Sequence, residues 1–104
     1  MITLIDLNNR SIRLSDERKK HFESDHPEIK EQFDKIKQTL ISPDVIALSN
    51  SDESIEMFYK FYEVTPVTSK YLCVLIKNTS LDSFVLTSYF TNAIKKGEIL
   101  WKRK

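Results

Sequence analysis

A chain of 104 residues with 16 basic and 15 acidic side chains, net charge +1, has the size of one domain (1–104) and lacks the strong basic excess of many nucleic-acid binders. Its single glycine, Gly97, excludes a glycine-rich phosphate loop or dinucleotide fingerprint, and its single cysteine, Cys73, excludes an internal disulfide and a cysteine-based zinc site. No apolar run approaches the roughly 20 residues of a membrane span and no leader peptide is recognisable, so the expected setting is cytoplasmic with no membrane partner.

Ile2–Asp6 and Ser11–Leu14 alternate apolar and polar residues around Leu7-Asn8-Asn9, which predicts a short hairpin or a pair of extended segments. Ser15 is a natural N-cap, and Asp16 and Glu17 complement the positive end of a helix running to about Asp25. Leu14, Arg18, His21, Phe22 and Asp25 share one face of it by three-and-four spacing. His26 must end that helix because Pro27 follows, and Pro27 suits the first position of a second helix. Ile29, Phe33, Ile36 and Leu40 supply its apolar stripe, and Ser42-Pro43-Asp44 its end.

Beyond Pro43 the period changes to two. Strands are expected at Val45–Leu48, Ile55–Glu63, Lys70–Lys77 and Ser83–Thr91, with turns at Val64–Ser69 and Asn78–Asp82. Asn92–Gly97 reads as one helical turn closed by glycine, and Glu98–Lys102 as an edge strand. The connections are too short for helical crossovers, so the expected architecture is α+β: two N-terminal helices packed on a four- to five-stranded antiparallel sheet.

Chemistry concentrates at the junction between the helices. It holds both histidines, His21 and His26, followed by Pro27 and Glu28, and imidazole is the main proton carrier at neutral pH. His26 at the start of a helix should feel its positive end and stay neutral, while His21 near acids and the end of the preceding helix should favour the charged form. Such a pair could serve as base and acid in phosphodiester cleavage. The plainer roles are a half-buried hydrogen-bonding histidine and a helix cap. Two histidines five apart followed by proline make no metal motif, and no metal or cofactor is expected.

On the last long strand Thr87, Tyr89 and Thr91 share a face and could hold a phosphate, though threonine and tyrosine are also ordinary strand formers. Lys60, Lys70 and Lys77 could stabilise phosphate charge, and Tyr59, Tyr62 and Tyr71 could stack on bases. Five bases (Lys95, Lys96, Lys102, Arg103, Lys104) against Glu98 make the end of the chain locally basic, while acids outnumber bases seven to four from Asp16 to Asp34. Cys73 sits in the apolar run YLCVLI and reads as a small core residue.

His21-x4-His26-Pro27-Glu28, Ile36-x2-Thr39-Leu40-x2-Pro43-Asp44-x-Ile46 and TSYFTNAIKKG from Thr87 to Gly97 occur in an order that resembles the small phage-associated nuclease families grouped with barnase, EndoU, colicin and RelE (PBECR), over roughly Ile12 to Trp101. That resemblance implies one or two helices on an antiparallel sheet of about four strands. It implies metal-independent RNA cleavage through the 2′-hydroxyl, as a toxin or phage-borne effector. RNA, tRNA included, would be the substrate, and an immunity or antitoxin protein a partner. Carried over position by position, it points to His21, His26, Glu28, Thr87 and Tyr89 as catalytic, with Thr91 next along the same face; Lys70, Arg13 and Arg10 lie outside these motifs and are substrate-contact candidates by charge alone. A non-catalytic protein- or nucleic-acid-interaction module on the same fold is the competing reading.

Overall fold

The hairpin forms because Asp6 closes it. Ile2–Ile5 (β1) and Ser11–Leu14 (β2) pair antiparallel, Ile2 opposite Leu14. The Asp6 carboxylate accepts the backbone N–H groups of Asn8 (2.9 Å) and Arg10 (2.8 Å) and the Nε of Arg10 (3.0 Å). Asn9 takes the left-handed conformation (φ 64°), which asparagine tolerates better than most residues. The computed structural model describes residues 1–68 and 70–103. The expected turn over Val64–Ser69 is therefore seen only as far as Thr68, and the Lys104 end of the basic tail lies outside the described residues.

Ser15 caps the first helix, Asp16–Asp25 (α1), its Oγ accepting the N–H of Arg18 at 3.1 Å. Phe22 is the side chain α1 buries. The single second helix expected from Pro27 is replaced by two pieces. Pro27–Ile29 is one 3-10 turn, Glu31 takes the left-handed region (φ 64°), and Phe33–Ile41 (α2) begins beyond it. The apolar stripe survives the break: Ile29, Ile36 and Leu40 are all buried, with Phe33 packed beside them. The spacing marked the buried positions, but several helix-compatible backbones satisfy it. The hydroxyl of Tyr62 donates to the Lys35 carbonyl (3.0 Å), and Lys60 Nζ donates to the Ser42 carbonyl at the end of α2 (2.9 Å).

Val45–Ser49 (β3), Ile55–Tyr62 (β4), Lys70–Asn78 (β5), Ser83–Thr91 (β6) and Gly97–Lys102 (β7) complete the chain. The expected four- to five-stranded antiparallel sheet with two packed N-terminal helices is overturned. Among the described residues seven strands join one mixed sheet in the order β1-β2-β6-β5-β4-β3-β7. Two features escaped the sequence argument. The N-terminal hairpin docks beside β6, where β2 runs parallel to it at Arg13 and Phe84, because the whole of α1 to β5 intervenes and lets the chain return in the same sense. And β7 crosses back to pair with β3 at the far edge.

That crossing corrects the expected helical turn at Asn92–Gly97. No helix forms there among the described residues; the segment is a strap laid over the sheet. The registers put Gly97 at the level of Phe84 on β6, through Ser49, Ile55 and Lys77. On a flat sheet Thr91 and Gly97 would then lie about 20 Å apart along the strands and about 19 Å across four strand spacings, about 28 Å in all. Six Cα steps reach at most about 23 Å. The sheet must therefore curl, concave on the face the strap crosses. Gly97 serves close approach rather than a helix cap: a Cβ there would lie 2.2 Å from the Leu48 carbonyl oxygen.

The two faces of the sheet carry separate cores. One gathers Phe22, Ile29, Ile36 and Leu40 from the helical segments onto Phe58, Leu72, Val74 and Ile76. On the other, Val45, Ala47, Met57, Tyr59 and Cys73 are buried with Ile94 of the strap and partly buried Tyr71 and Tyr89. No helix contributes to this second cluster among the described residues. None of the described helices is long and apolar enough to cross a membrane.

Candidate functional site

Past Phe84, β2 no longer pairs with β6, and α1 and the Pro27–Ile29 turn lie against β6 instead. This packing brings His26 to the late strand. Its backbone N–H donates to the Phe22 carbonyl (2.8 Å) and its carbonyl accepts from Ile29 N–H (2.9 Å), so the residue joins the two helical segments. Its imidazole lies 5.3 Å from the Tyr89 ring, centroid to centroid, at 32°, and its side chain is 36% exposed. Glu28 brings a carboxylate oxygen to 4.0 Å from His26 Nδ1. The Lys95 ammonium stands 5.8 Å from the centroid of the same Tyr89 ring. An imidazole and a cation thus lie near one aromatic ring, and a carboxylate lies beside the imidazole.

Tyr89 is held from below. It lies opposite Cys73 in the β5–β6 register, and the Cys73 thiol interacts with the Tyr59 and Tyr89 hydroxyls. Burial first, then the Cys73 contact, pushes the Tyr89 hydroxyl well above its ordinary range, so it keeps its proton at neutral pH. Burial likewise pushes Tyr59 up to about 12 and the Cys73 thiol to about 12, which leaves Cys73 inert as a nucleophile. Tyr59 also accepts the backbone N–H of Lys95 (3.2 Å), which pins the strap at the residue that carries this exposed ammonium.

The remaining expected residues are spread more widely. His21 is 66% exposed, and its Nε2 lies 3.5 Å from Asp25 on α1. Five helical positions correspond to about 140° of rotation, so His21 and His26 leave the chain in different directions. The positive end expected to act on His26 is also small, because three residues of 3-10 turn follow it rather than a long helix. Thr87 is partly exposed two residues before Tyr89, hence on the same face. The Thr91 hydroxyl is engaged in the strap, donating to the Ala93 carbonyl (3.2 Å) and accepting its N–H (3.4 Å).

Lys70 donates to Asn92 Oδ1, and Arg13 pairs with Asp82, whose carboxyl that contact holds below its ordinary range. Lys77 pairs with Asp52 at 2.6 Å. Arg10 is structural: its guanidinium bridges Asp6 (3.0 Å), Asn78 Oδ1 (3.0 Å) and Glu56 (2.6 Å). Lys95 is the functional candidate that sequence reasoning passed over, counted only as one of five bases near the end of the chain. Its place three residues beyond Asn92, with Ile94 turned inward, could have singled it out only if the strap had been foreseen. Among the described residues no three His, Cys, Asp or Glu side chains are grouped as metal ligands.

No protein-family model, curated protein or solved structure matched the chain.

Proposed function

We propose that this domain is a metal-independent endoribonuclease centred on His26, acting in the cytoplasm as a toxin or phage-borne effector. The observation that carries the reading is a partly exposed imidazole within reach of both the Glu28 carboxylate and the Tyr89 ring, with the Lys95 ammonium over that ring. In this reading His26 takes the proton of an RNA 2′-hydroxyl, whose oxygen attacks the adjacent phosphorus. The bond to the 5′-oxygen breaks, that oxygen takes a proton from water, and a cyclic phosphate and a free 5′-hydroxyl result. Glu28 orients the imidazole, and the Tyr89 ring fixes its plane. Lys95 stabilises the charge that builds on the phosphate oxygens, where a preorganised cation gains most. Thr87 is the nearest candidate for a phosphate hydrogen bond on the same face. An immunity or antitoxin protein would be the natural partner of such an activity.

The deciding experiment is an RNA-cleavage assay, with and without chelator, on wild type, His26→Ala and His21→Ala. Chelator-resistant cleavage that His26→Ala abolishes supports the reading. Purified protein that leaves RNA intact under all conditions would refute it. That result would favour the non-catalytic interaction module, which the partly exposed Phe61 and Ile99 also favour.

A further inference from the structure

The concave face continues past Tyr89 into a feature the cleavage chemistry does not use. The registers place Tyr71 two residues from Cys73 on β5, beside Thr91, and Phe61 opposite Tyr71 on β4. Tyr71 and Phe61 pack edge to face, centroids 5.3 Å apart, and Phe61 is 44% exposed. Next to them a cavity of about 480 Å³ opens between the strap and β7. Its apolar lining is Tyr71, Val45, Ile94 and Ile99; its charged lining is two cations, Lys102 and Arg103, against the one carboxylate of Asp44. Arg103 is tethered by Asp44 (3.5 Å) and by Ser42 Oγ (2.7 Å), while Lys102 is exposed. Strand geometry puts the Cα atoms of Tyr89 and Tyr71 about 8 Å apart, a distance on the scale of one nucleotide unit.

We propose that this cavity seats an unpaired base of a single-stranded RNA, stacked on Tyr71, with Lys102 and Arg103 binding its phosphate. The inference rests on the RNA-cleavage reading and deepens it by naming the form of the substrate. Three features select this occupant. An aromatic wall is sequence-tolerant toward any base, because every base has a π-face. The cations at the edge complement a phosphate and disfavour a basic partner. The cavity beside the strap can take an unstacked base, whereas the paired bases of a duplex keep their faces stacked inside the helix. An acidic peptide would match the charge but leave the aromatic wall unused.

The test is binding of a fluorescently labelled 2′-deoxy oligonucleotide, which cannot be cleaved through a 2′-hydroxyl, to wild type, Tyr71→Ala and Lys102→Gln. Tyr71→Ala should weaken binding roughly tenfold. Lys102→Gln should reduce the slope of log affinity against log salt by about 0.7. Lys102 is exposed at the edge, so this variant keeps the test decisive if Tyr71→Ala lowers stability. The same sequence as a duplex should bind more weakly, and polyglutamate should not displace the strand. Equal binding by all three proteins, absence of binding, or displacement by polyglutamate overturns the proposal. The cleavage reading is judged separately. RNA cleavage lost in His26→Ala but indifferent to Tyr71→Ala and Lys102→Gln overturns the base seat alone. Oligonucleotide binding that depends on Tyr71 in a protein that cuts no RNA overturns the cleavage reading and leaves the seat.

Discussion

The imidazole of His26 rests 5.3 Å from the ring of Tyr89, joining residues 63 positions apart in the chain. One comes from a helix–proline junction and the other from the sixth strand of the sheet. The contact makes the two histidines unequal. His26→Ala should lower RNA cleavage by at least about a hundredfold, the usual contribution of a positioned proton-transfer group. His21→Ala should leave the rate near wild type, since that side chain faces solvent beside Asp25. Equal losses in the two variants would mean that the His26–Tyr89 contact is not the reacting centre. Lys95→Ala should lower kcat more than it raises KM, as expected of a group that acts on transition-state charge.

A second prediction concerns alkaline pH. Burial raises Tyr59, Cys73 and Tyr89, the first two to about 12. In the unfolded chain such groups ionise from their ordinary values of 9.0 for cysteine and 10.0 for tyrosine. Above those values the unfolded state loses protons that the folded state retains. The contribution is therefore intact below about pH 9 and is lost as pH climbs toward 12. Urea midpoints measured from pH 8 to 12 should fall steeply above pH 9, and Tyr59→Phe should flatten the decline. A wild-type midpoint that stays level through this range would contradict the burial of this trio.

Gly97 offers a sharp structural test. A methyl group there would lie 2.2 Å from the carbonyl oxygen of Leu48, and backbone cannot yield as a flexible side chain can. Gly97→Ala should cost about 1–3 kcal/mol by overpacking, read as a lower urea midpoint with an unchanged m-value. A neutral substitution would mean that β7 does not approach β3 as closely as described.

Arg10 holds the hairpin to the sheet. Asp6 is buried, and Arg10 links it to Glu56 and Asn78 across the fold. Arg10→Met strands a buried carboxylate and should cost about 3 kcal/mol. Adding Asp6→Asn should restore part of that loss. A double variant less stable than the single one would show that the Asp6 turn contacts, rather than the guanidinium, hold the hairpin in place.

Local structure was legible in the sequence where local physics decides it. Ser15 marks the cap of α1 and Pro27 its end; alternation marks Ile55–Tyr62 and Ser83–Thr91, and short apolar runs mark Val45–Ser49 and Lys70–Asn78. What the chain alone could not disclose was pairing between distant segments. A strand such as Ser11–Leu14 carries no label for the neighbour it will join, and its partner β6 begins 69 residues after Leu14. The helical reading of Asn92–Gly97 failed for a related reason: glycine ends helices, but it also permits close backbone contact, and only the partner Leu48 distinguishes the two. At the site, chemical type pointed to His26, Glu28 and Tyr89. Lys95 stayed hidden because its place depends on the strap, and Arg10 and Arg13 were drawn toward Asp6 and Asp82 by charge that sequence order does not reveal.

The strap also has a temporal meaning. The four strands β3 to β6 form a meander of neighbours joined by short turns, so their contacts close small loops and can form early. The edge pairings β2–β6 and β3–β7 each close a long loop, and the concave face exists only after the meander has curled. Docking of β7 should therefore be a late step, and the reverse opening the easiest one available to the native protein. Amide hydrogens of Ile99 and Trp101 should exchange faster than those of Leu72 and Val74, under conditions far from global unfolding. On this view the basic end of the chain is set last and released first, and the cavity between the strap and β7 lasts only as long as β7 stays docked.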